Sequence, residues 1–375
     1  MKKLKVMTIL GTRPEIIRLS EVIKACENQF EHTLVHTGQN YDHTLTQVFF
    51  DEFRLSVPNH YLNISGEHLG ESIGNIISYS YSLLREYMPD AVLILGDTNS
   101  ALSAISAKRL KIPVFHMEAG NRCFDENLPE ELNRRIVDHT SDINLCYSEH
   151  ARRNLLAEGK RPEYTFVTGS PMTEVLFVNM EKIDDSRILE ELDIEPGKFI
   201  LLSAHREENI DIESHFTSLM NAINQLAETY KMPIIYSTHP RSADFIKKRG
   251  FKFHANVRSM EPFGFFPYNK MQKHAFCVVS DSGTLPEETA YMDFPAVSIR
   301  TSTERPEAMD KGRFVLGGIN AESLLQSVEL AVKPKKKAIV NDYVDINVSE
   351  KVVGIIQSYT EIVNQRIWRK HEQYR

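Results

Sequence analysis

Ionisable and hydroxyl side chains recur in short turns, each following an apolar run. The first such run leads into Gly11-Thr12-Arg13-Pro14-Glu15, a later one into Gly96-Asp97-Thr98-Asn99, and the next into Glu118-Ala119-Gly120-Asn121-Arg122. Pro129-Glu130-Glu131 then opens an amphipathic stretch. In the second half the corresponding turns are Ala204-His205-Arg206-Glu207-Glu208-Asn209, Thr238-His239-Pro240, Asp281-Ser282-Gly283-Thr284 and Thr303-Glu304-Arg305-Pro306-Glu307. Taken singly, each has an ordinary structural reading. Asp97 and Thr98 suit a helix cap, Glu130 and Glu131 suit the positive end of a helix, His205 suits a satisfied core position, and Arg305 suits a surface pair with Glu304 or Glu307. Taken together they describe a site. Three acids, Asp97, Glu118 and Glu130, fall in the first half, and His205, Arg206, Ser282, Gly283, Glu288 and Arg305 fall in the second. An acidic wall facing a basic, hydroxyl-rich one suits a substrate with a diphosphate at one end and proton transfer at the other. Ser282-Gly283, ahead of a helical run, suits a phosphate cradle.

Those turns need rigid elements to place them. Apolar runs at Leu4–Leu10, His32–Thr37, Ala91–Leu95, Val114–Met117, Ile143–Tyr147 and Thr165–Val167 read as strands. A second series comprises Phe199–Ser203, Pro233–Ser237, Cys277–Ser280, Ala296–Ile299 and Phe314–Leu316. Helical patterns such as Leu69–Tyr87, Pro129–His139 and Ser214–Tyr230 lie between them. The alternation predicts an α/β chain with parallel sheets covered on both faces, and ligands outside the carboxyl ends of the strands. At 375 residues two domains are expected. The hinge is placed near Gly169, giving domains 1–169 and 170–348, and residues 349–375 read as a long helix with Val352, Ile355, Ile356, Tyr359, Ile362 and Ile367 on its apolar face.

Composition narrows the partners. The net charge of −7 gives no support for nucleic acid or an anionic membrane. No segment reaches the roughly 20 apolar residues of a membrane span, and MKKLKVMTIL runs straight into Gly11-Thr12, so a cytoplasmic protein is expected. Four scattered cysteines without a CxxC pair argue against structural zinc or a disulfide framework. There is no GxGxxG, so bound NAD is not indicated. No metal and no cofactor are expected.

In their order along the chain these residues resemble the non-hydrolysing UDP-N-acetylglucosamine 2-epimerases. The matching pieces are Gly11-Thr12-Arg13-Pro14-Glu15, Gly96-Asp97-Thr98, Glu118-Ala119-Gly120, Pro129-Glu130-Glu131-Leu132-Asn133-Arg134, His205-Arg206, Asp281-Ser282-Gly283, Glu287-Glu288 and Thr303-Glu304-Arg305-Pro306-Glu307-Ala308. The resemblance implies two Rossmann-like domains facing a cleft, as in GT-B glycosyltransferases, with the C-terminal helix returning to the first domain, and a homodimer. It also implies a mechanism: a base removes the proton at sugar C2, UDP leaves by anti elimination, and a 2-acetamidoglycal is reprotonated on its other face before UDP returns. Asp97, Glu118 and Glu130 would be the acid–base carboxylates, none assigned to a particular face. His205 would assist departure of the diphosphate. Arg13, Arg18, Arg206, Ser282, Gly283, Thr284, Glu288 and Arg305 would hold UDP, with Tyr268 beside the uracil.

Two departures point within the family. Thr284-Leu285-Pro286 stands where the family usually has Gly-Ile-Gln, and Gln39-Asn40-Tyr41-Asp42-His43 replaces a Gln-His-Arg segment that serves activation by a second UDP-N-acetylglucosamine. Such activation is therefore not expected. With His116 to Asp125, these features resemble the branch acting on UDP-2-acetamido-2,6-dideoxy-L-talose to give UDP-N-acetyl-L-fucosamine for capsule or O-antigen synthesis. Rival readings are the ordinary epimerase forming UDP-N-acetylmannosamine, a GT-B glycosyltransferase, and a non-catalytic nucleotide-sugar binder. Change at C2 separates the epimerases from the other two.

Overall fold

The computed structural model describes residues 3–38, 43–334 and 338–370, with residues 43–46 as backbone. The chain forms two compact units, residues 1–175 with 342–375, and residues 176–341. Residues 170–175 and 342–348 pack within the first unit. The reason is polar: the Thr173 hydroxyl donates to Tyr343 O (3.2 Å), and Glu174 accepts from the Ser349 amide (2.7 Å) and hydroxyl (2.6 Å).

The first unit holds seven strands: β1 (Lys5–Leu10), β2 (Glu31–His36), β3 (His60–Tyr61), β4 (Ala91–Leu95), β5 (Val114–Met117), β6 (Ile143–Cys146) and β7 (Thr165–Val167). They pair in the order β3-β2-β1-β4-β5-β6-β7, all parallel. Every residue of β4 and β5 is buried, as helices on both faces require. The helix Arg13–Gln29 starts where Pro14 suits its first turn and turns Ile16, Leu19, Val22, Ile23 and Cys26 inward. The last helix, Val348–Arg366, packs on it. Val352 and Ile356 are buried as expected, but the helix stops at Arg366, and Val363 rather than Ile367 completes its inner face.

The second unit holds β8 (Ile200–Ser203), β9 (Ile234–Ser237), β10 (Val257–Met260), β11 (Cys277–Ser280), β12 (Ala296–Ser298) and β13 (Val315–Leu316). Their order is β10-β9-β8-β11-β12-β13, again all parallel. Its core is built on Leu202, Phe216, Leu219, Ile223, Tyr236 and Val279. Each sheet reverses its strand order once, between β1 and β4 and between β8 and β11. A crevice opens at such a point because the two connecting chains leave in opposite directions.

Candidate functional site

In the first unit, Gly11-Thr12-Arg13-Pro14-Glu15 leaves β1 and Gly96-Asp97-Thr98 leaves β4, so two expected motifs flank the switch point. Glu15 ties them together. Its carboxyl accepts from the Gly11 amide (3.0 Å), the Thr12 hydroxyl (2.7 Å) and the Thr98 hydroxyl across the switch (3.1 Å). Burial pushes it up to about 7, against those bonds and the charge of Arg18. Gly11 has a steric reason to be glycine: a Cβ there would lie 2.0 Å from Thr37 Oγ1 and 2.2 Å from Ser100 Oγ.

Asp97 is gripped by Arg134, whose Nε and one terminal nitrogen approach Asp97 Oδ2 at 3.0 and 2.6 Å. The other terminal nitrogen donates to Glu131 (3.1 Å), and Asn133 donates to Asp97 O (3.0 Å). The helix Pro129–Thr140 thus clamps the β4 turn, and Glu130 stands half-buried in its first turn. Glu118 follows β5 in the left-handed region, φ +66°, where side chains other than glycine or asparagine are uncommon. It is buried and paired with Arg18, and Asn121 Nδ2 reaches its Oε1 at 3.4 Å. Gly96, at φ +73°, leaves room for it: a Cβ on Gly96 would sit 3.1 Å from Glu118 Oε2. The structure therefore gathers Arg18, Asp97 and Glu118 with their supports. Arg13 lies with its guanidinium carbon 4.5 Å from the Phe49 ring centroid.

In the second unit, the turns after β8 and β11 flank the other switch point. Asp281 is fully buried and accepts from the amides of His205 and Arg206 (each 2.9 Å) and from Asn209 Nδ2 (3.1 Å). His205 Nδ1 lies 3.0 Å from Asp281 Oδ1, which orients the ring and turns Nε2 away from the carboxylate. Burial pushes Asp281 upward, but the His205 charge and these bonds prevail and hold it well below the ordinary carboxylate range. Arg206 Nε donates back to Asp281 O (3.1 Å). Thr284 Oγ1 meets Ser282 Oγ at 3.0 Å and donates to Glu288 (2.7 Å), which also accepts from Gln272 (2.6 Å). Burial raises Glu288 against both bonds. The Tyr268 hydroxyl bonds to Ser203 and Ser280 at the ends of β8 and β11, and burial holds the phenol above its ordinary range. A Cβ on Gly283 would lie 3.3 Å from Glu304 Oε1 and 3.7 Å from an Arg206 terminal nitrogen, so this turn gathers backbone, acid and guanidinium closely.

Arg305 departs from its expected surface reading. It is 1 % exposed, and its Nε donates to Glu287 Oε1 (3.1 Å). A guanidinium at that depth needs a carboxylate, and the pair braces the turn 303–307 against the helix Leu285–Met292. Leu285 is also fully buried. Residues 39–42 lie outside the described residues, as does the side chain of His43. Among the described residues no cluster of His, Cys, Asp or Glu is arranged to hold a metal ion, and no helix is long and apolar enough to cross a membrane.

Sequence reading did not assign Glu15, Arg134, Asp281 or the pair His116–Asp138. Glu15 and Asp281 stood within recognised motifs, four residues after Gly11 and immediately before Ser282, but only the fold shows that each crosses a switch point. His116 and Asp138 lie 22 positions apart and carry no local signal.

Two parallel-sheet units with ionisable turns at both switch points define an α/β enzyme of GT-B-like fold. Residues 24–357 match the family model described as UDP-N-acetylglucosamine 2-epimerase. A solved structure of UDP-N-acetylglucosamine 2-epimerase from Rickettsia bellii is 44% identical, with 98% of this chain and 99% of that one covered, at a TM-score of 0.90. The Methanocaldococcus jannaschii enzyme, solved in complex with UDP-GlcNAc and UDP, is 33% identical over 95% of this chain and 100% of that one, at a TM-score of 0.89. A Pseudomonas aeruginosa relative, UDP-2,3-diacetamido-2,3-dideoxy-D-glucuronate 2-epimerase, is 30% identical over 334 residues, 88% of this chain and 92% of its own. The chain belongs to the UDP-N-acetylglucosamine 2-epimerase family and is an isomerase of the non-hydrolysing kind.

Proposed function

We propose that the chain inverts carbon 2 of a UDP-linked 2-acetamido sugar by anti elimination of UDP and re-addition. The observation that carries this is Glu118, held in a left-handed turn beside Gly96-Asp97 and paired with Arg18. Backbone strain of that kind persists only where the surroundings over-determine it, and it clusters at active sites. The first unit supplies the proton chemistry through Asp97, Glu118 and Glu130: one carboxylate takes the C2 proton, UDP departs with the C1–O bond electrons, and a protonated carboxyl returns a proton to the opposite face of the glycal. The second unit holds UDP through Arg206, Ser282, Gly283, Thr284, Glu288 and Tyr268, with His205 beside the diphosphate and Arg13 and Arg18 completing the grip. Arg305, braced by Glu287, joins the same grip. The enzyme works without metal or NAD, as a cytoplasmic homodimer.

The preferred substrate is UDP-2-acetamido-2,6-dideoxy-L-talose. The support is local: Thr284 fills a position that is glycine in the family pattern, and Phe124, at φ +57° and 69 % exposed, presents an apolar face six residues beyond Glu118. An apolar wall favours a methyl at C6, yet rejects an added hydroxyl by only ~10²-fold. A second reading, UDP-N-acetylglucosamine, is favoured by the names of the Rickettsia bellii and Methanocaldococcus jannaschii relatives. NMR of each UDP-sugar with chelator-treated enzyme in D2O tests both levels. Deuterium at C2 with formation of the epimer is expected, faster for the 6-deoxy sugar. Faster conversion of UDP-N-acetylglucosamine selects the second reading, and release of UDP without change at C2 overturns the epimerase.

A further inference from the structure

His116 lies on β5, two residues before Glu118, and is wholly buried. Its Nε2 is 2.8 Å from Gly96 O, the carbonyl immediately before Asp97. A carbonyl only accepts, so Nε2 donates there. Its Nδ1 is 2.9 Å from Asp138 Oδ1. Asp138, also wholly buried, accepts from the Gly120 amide with both oxygens (3.2 Å each) and from Arg122 (2.7 Å). Arg122 also donates to Asn121 O (2.7 Å) and continues to Glu158 (2.8 and 2.6 Å). Burial pushes Asp138 upward, and His116 and Arg122 more than offset it, leaving a buried carboxylate charged. Gly120 leaves no room for a side chain, since a Cβ there would lie 2.3 Å from Ala151 O.

One imidazole therefore holds both turns that carry the acid–base candidates. One nitrogen fixes the carbonyl before Asp97. The other fixes the aspartate that pins the amide two residues after Glu118. We infer that His116, with Asp138, is a positioning residue that sets Asp97 and Glu118 in one geometry, rather than a filler of the sheet core. The inference rests on the acid–base reading of those carboxylates. Charge pairs buried without such a purpose add little stability over apolar packing, whereas a misplacement of about 1 Å in a reacting group costs about 10²-fold in rate.

The test is steady-state turnover of whichever of the two UDP-sugars the unaltered enzyme converts faster, with UDP binding measured separately. Turnover by the unaltered enzyme tests the epimerase reading; the ratio between variant and unaltered enzyme tests His116. His116→Gln reaches only one of the two acceptors and is expected to lower kcat about 10²-fold, with KM and the Kd for UDP within threefold. Asp138→Asn preserves shape and is expected to lower kcat in the same way, which keeps the test valid should His116→Gln not fold. In a Glu118→Gln background, either change is expected to cost about tenfold or less, because only the geometry of Asp97 is left for it to protect. A folded His116→Gln or Asp138→Asn enzyme with unchanged kcat overturns the inference. So does an equal loss in both backgrounds, which marks a purely structural role.

Discussion

Glu15 and Asp281 do the same topological work in the two units and are treated oppositely by their surroundings. Each is almost fully enclosed beside a switch point, and each bridges the turns on either side of it. Glu15 sits at about 7 and Asp281 well below the ordinary range. Burial alone raises both, so the donors decide. Glu15 receives one amide and two hydroxyls, and a hydroxyl can turn round and accept from a protonated carboxyl. Asp281 receives two amides, an Asn nitrogen and a histidine, donors that stabilise only the charged form. The first unit thus has a switch point that tolerates a change of proton count, and the second has one that fixes its charge. That division suits proton chemistry in one unit and a diphosphate grip in the other.

The largest expected effect would break that division outright. Asp97→Asn, Glu118→Gln and Glu130→Gln should each reduce turnover by about 10²–10⁴-fold, the usual cost of losing a general acid or base. UDP affinity should stay near that of the unaltered enzyme, by calorimetry. Near-normal turnover in any one of them removes that residue from the chemistry.

Next in size is Asp281→Ala. It leaves the His205 and Arg206 amides and Asn209 without their shared acceptor and releases the His205 ring. Leaving buried donors without their acceptor costs about 1–3 kcal/mol each. Denaturant unfolding should show a loss of that size. Because the folded Asp281 titrates below its unfolded value, the loss should be complete above the ordinary carboxylate range and shrink as pH falls toward its folded pKa. A loss that persists unchanged into acid contradicts the fixed-charge reading.

Much of this was legible beforehand, and what was not has a physical cause. The buried strand β4 is a continuous apolar run, β5 and β11 are apolar but for His116 and Ser280, and all three stood out. β3 has two residues, and β10 is an edge strand whose Val257-Arg258-Ser259-Met260 holds neither an apolar run nor a buried residue. Nothing local marks either. Asp97, Glu118 and Ser282 read as candidates because each follows an apolar run, and the structure places each after a strand. Arg305, an arginine beside acids in a turn, reads alone as surface, and only the fold shows it buried with Glu287 reaching it. His116 and Asp138 were passed over because pairing across helix and strand leaves no spacing to read.

A third comparison uses Glu15 itself. Its folded pKa of about 7 lies above the ordinary glutamate value of 4.5, so the folded state binds the proton more tightly. Stability is then fullest below about 4.5, falls as pH rises to about 7, and is flat beyond. Over that window the loss is on the order of 3 kcal/mol. Glu15→Gln mimics the protonated form, accepting from Gly11 and Thr12 and donating to Thr98. Relative to the unaltered chain it should be neutral near pH 4.5 and stabilising at pH 8, by urea unfolding at both. Stabilisation that does not grow with pH shows that Glu15 stays charged like Asp281, and the contrast between the units disappears.

The smallest expected effect isolates the backbone at Glu118. Both Glu118→Ala and Glu118→Gly delete the carboxylate and its pairing with Arg18, so side-chain losses cancel between them. What remains is the left-handed conformation, φ +66°. An L side chain pays roughly 1–2 kcal/mol there because its Cβ crowds the following carbonyl, and glycine does not. Glycine's greater freedom in the unfolded chain takes back part of that gain, about 0.4–1 kcal/mol. The glycine variant should therefore be the more stable of the two by up to about 1.6 kcal/mol, the reverse of the order at an ordinary position. Both should be equally inactive, since neither holds a proton. If the alanine variant proves the more stable, the turn has relaxed to a common conformation once the side chain is gone. The pairing with Arg18, rather than the loop held by His116 and Asp138, would then be what keeps Glu118 where it is.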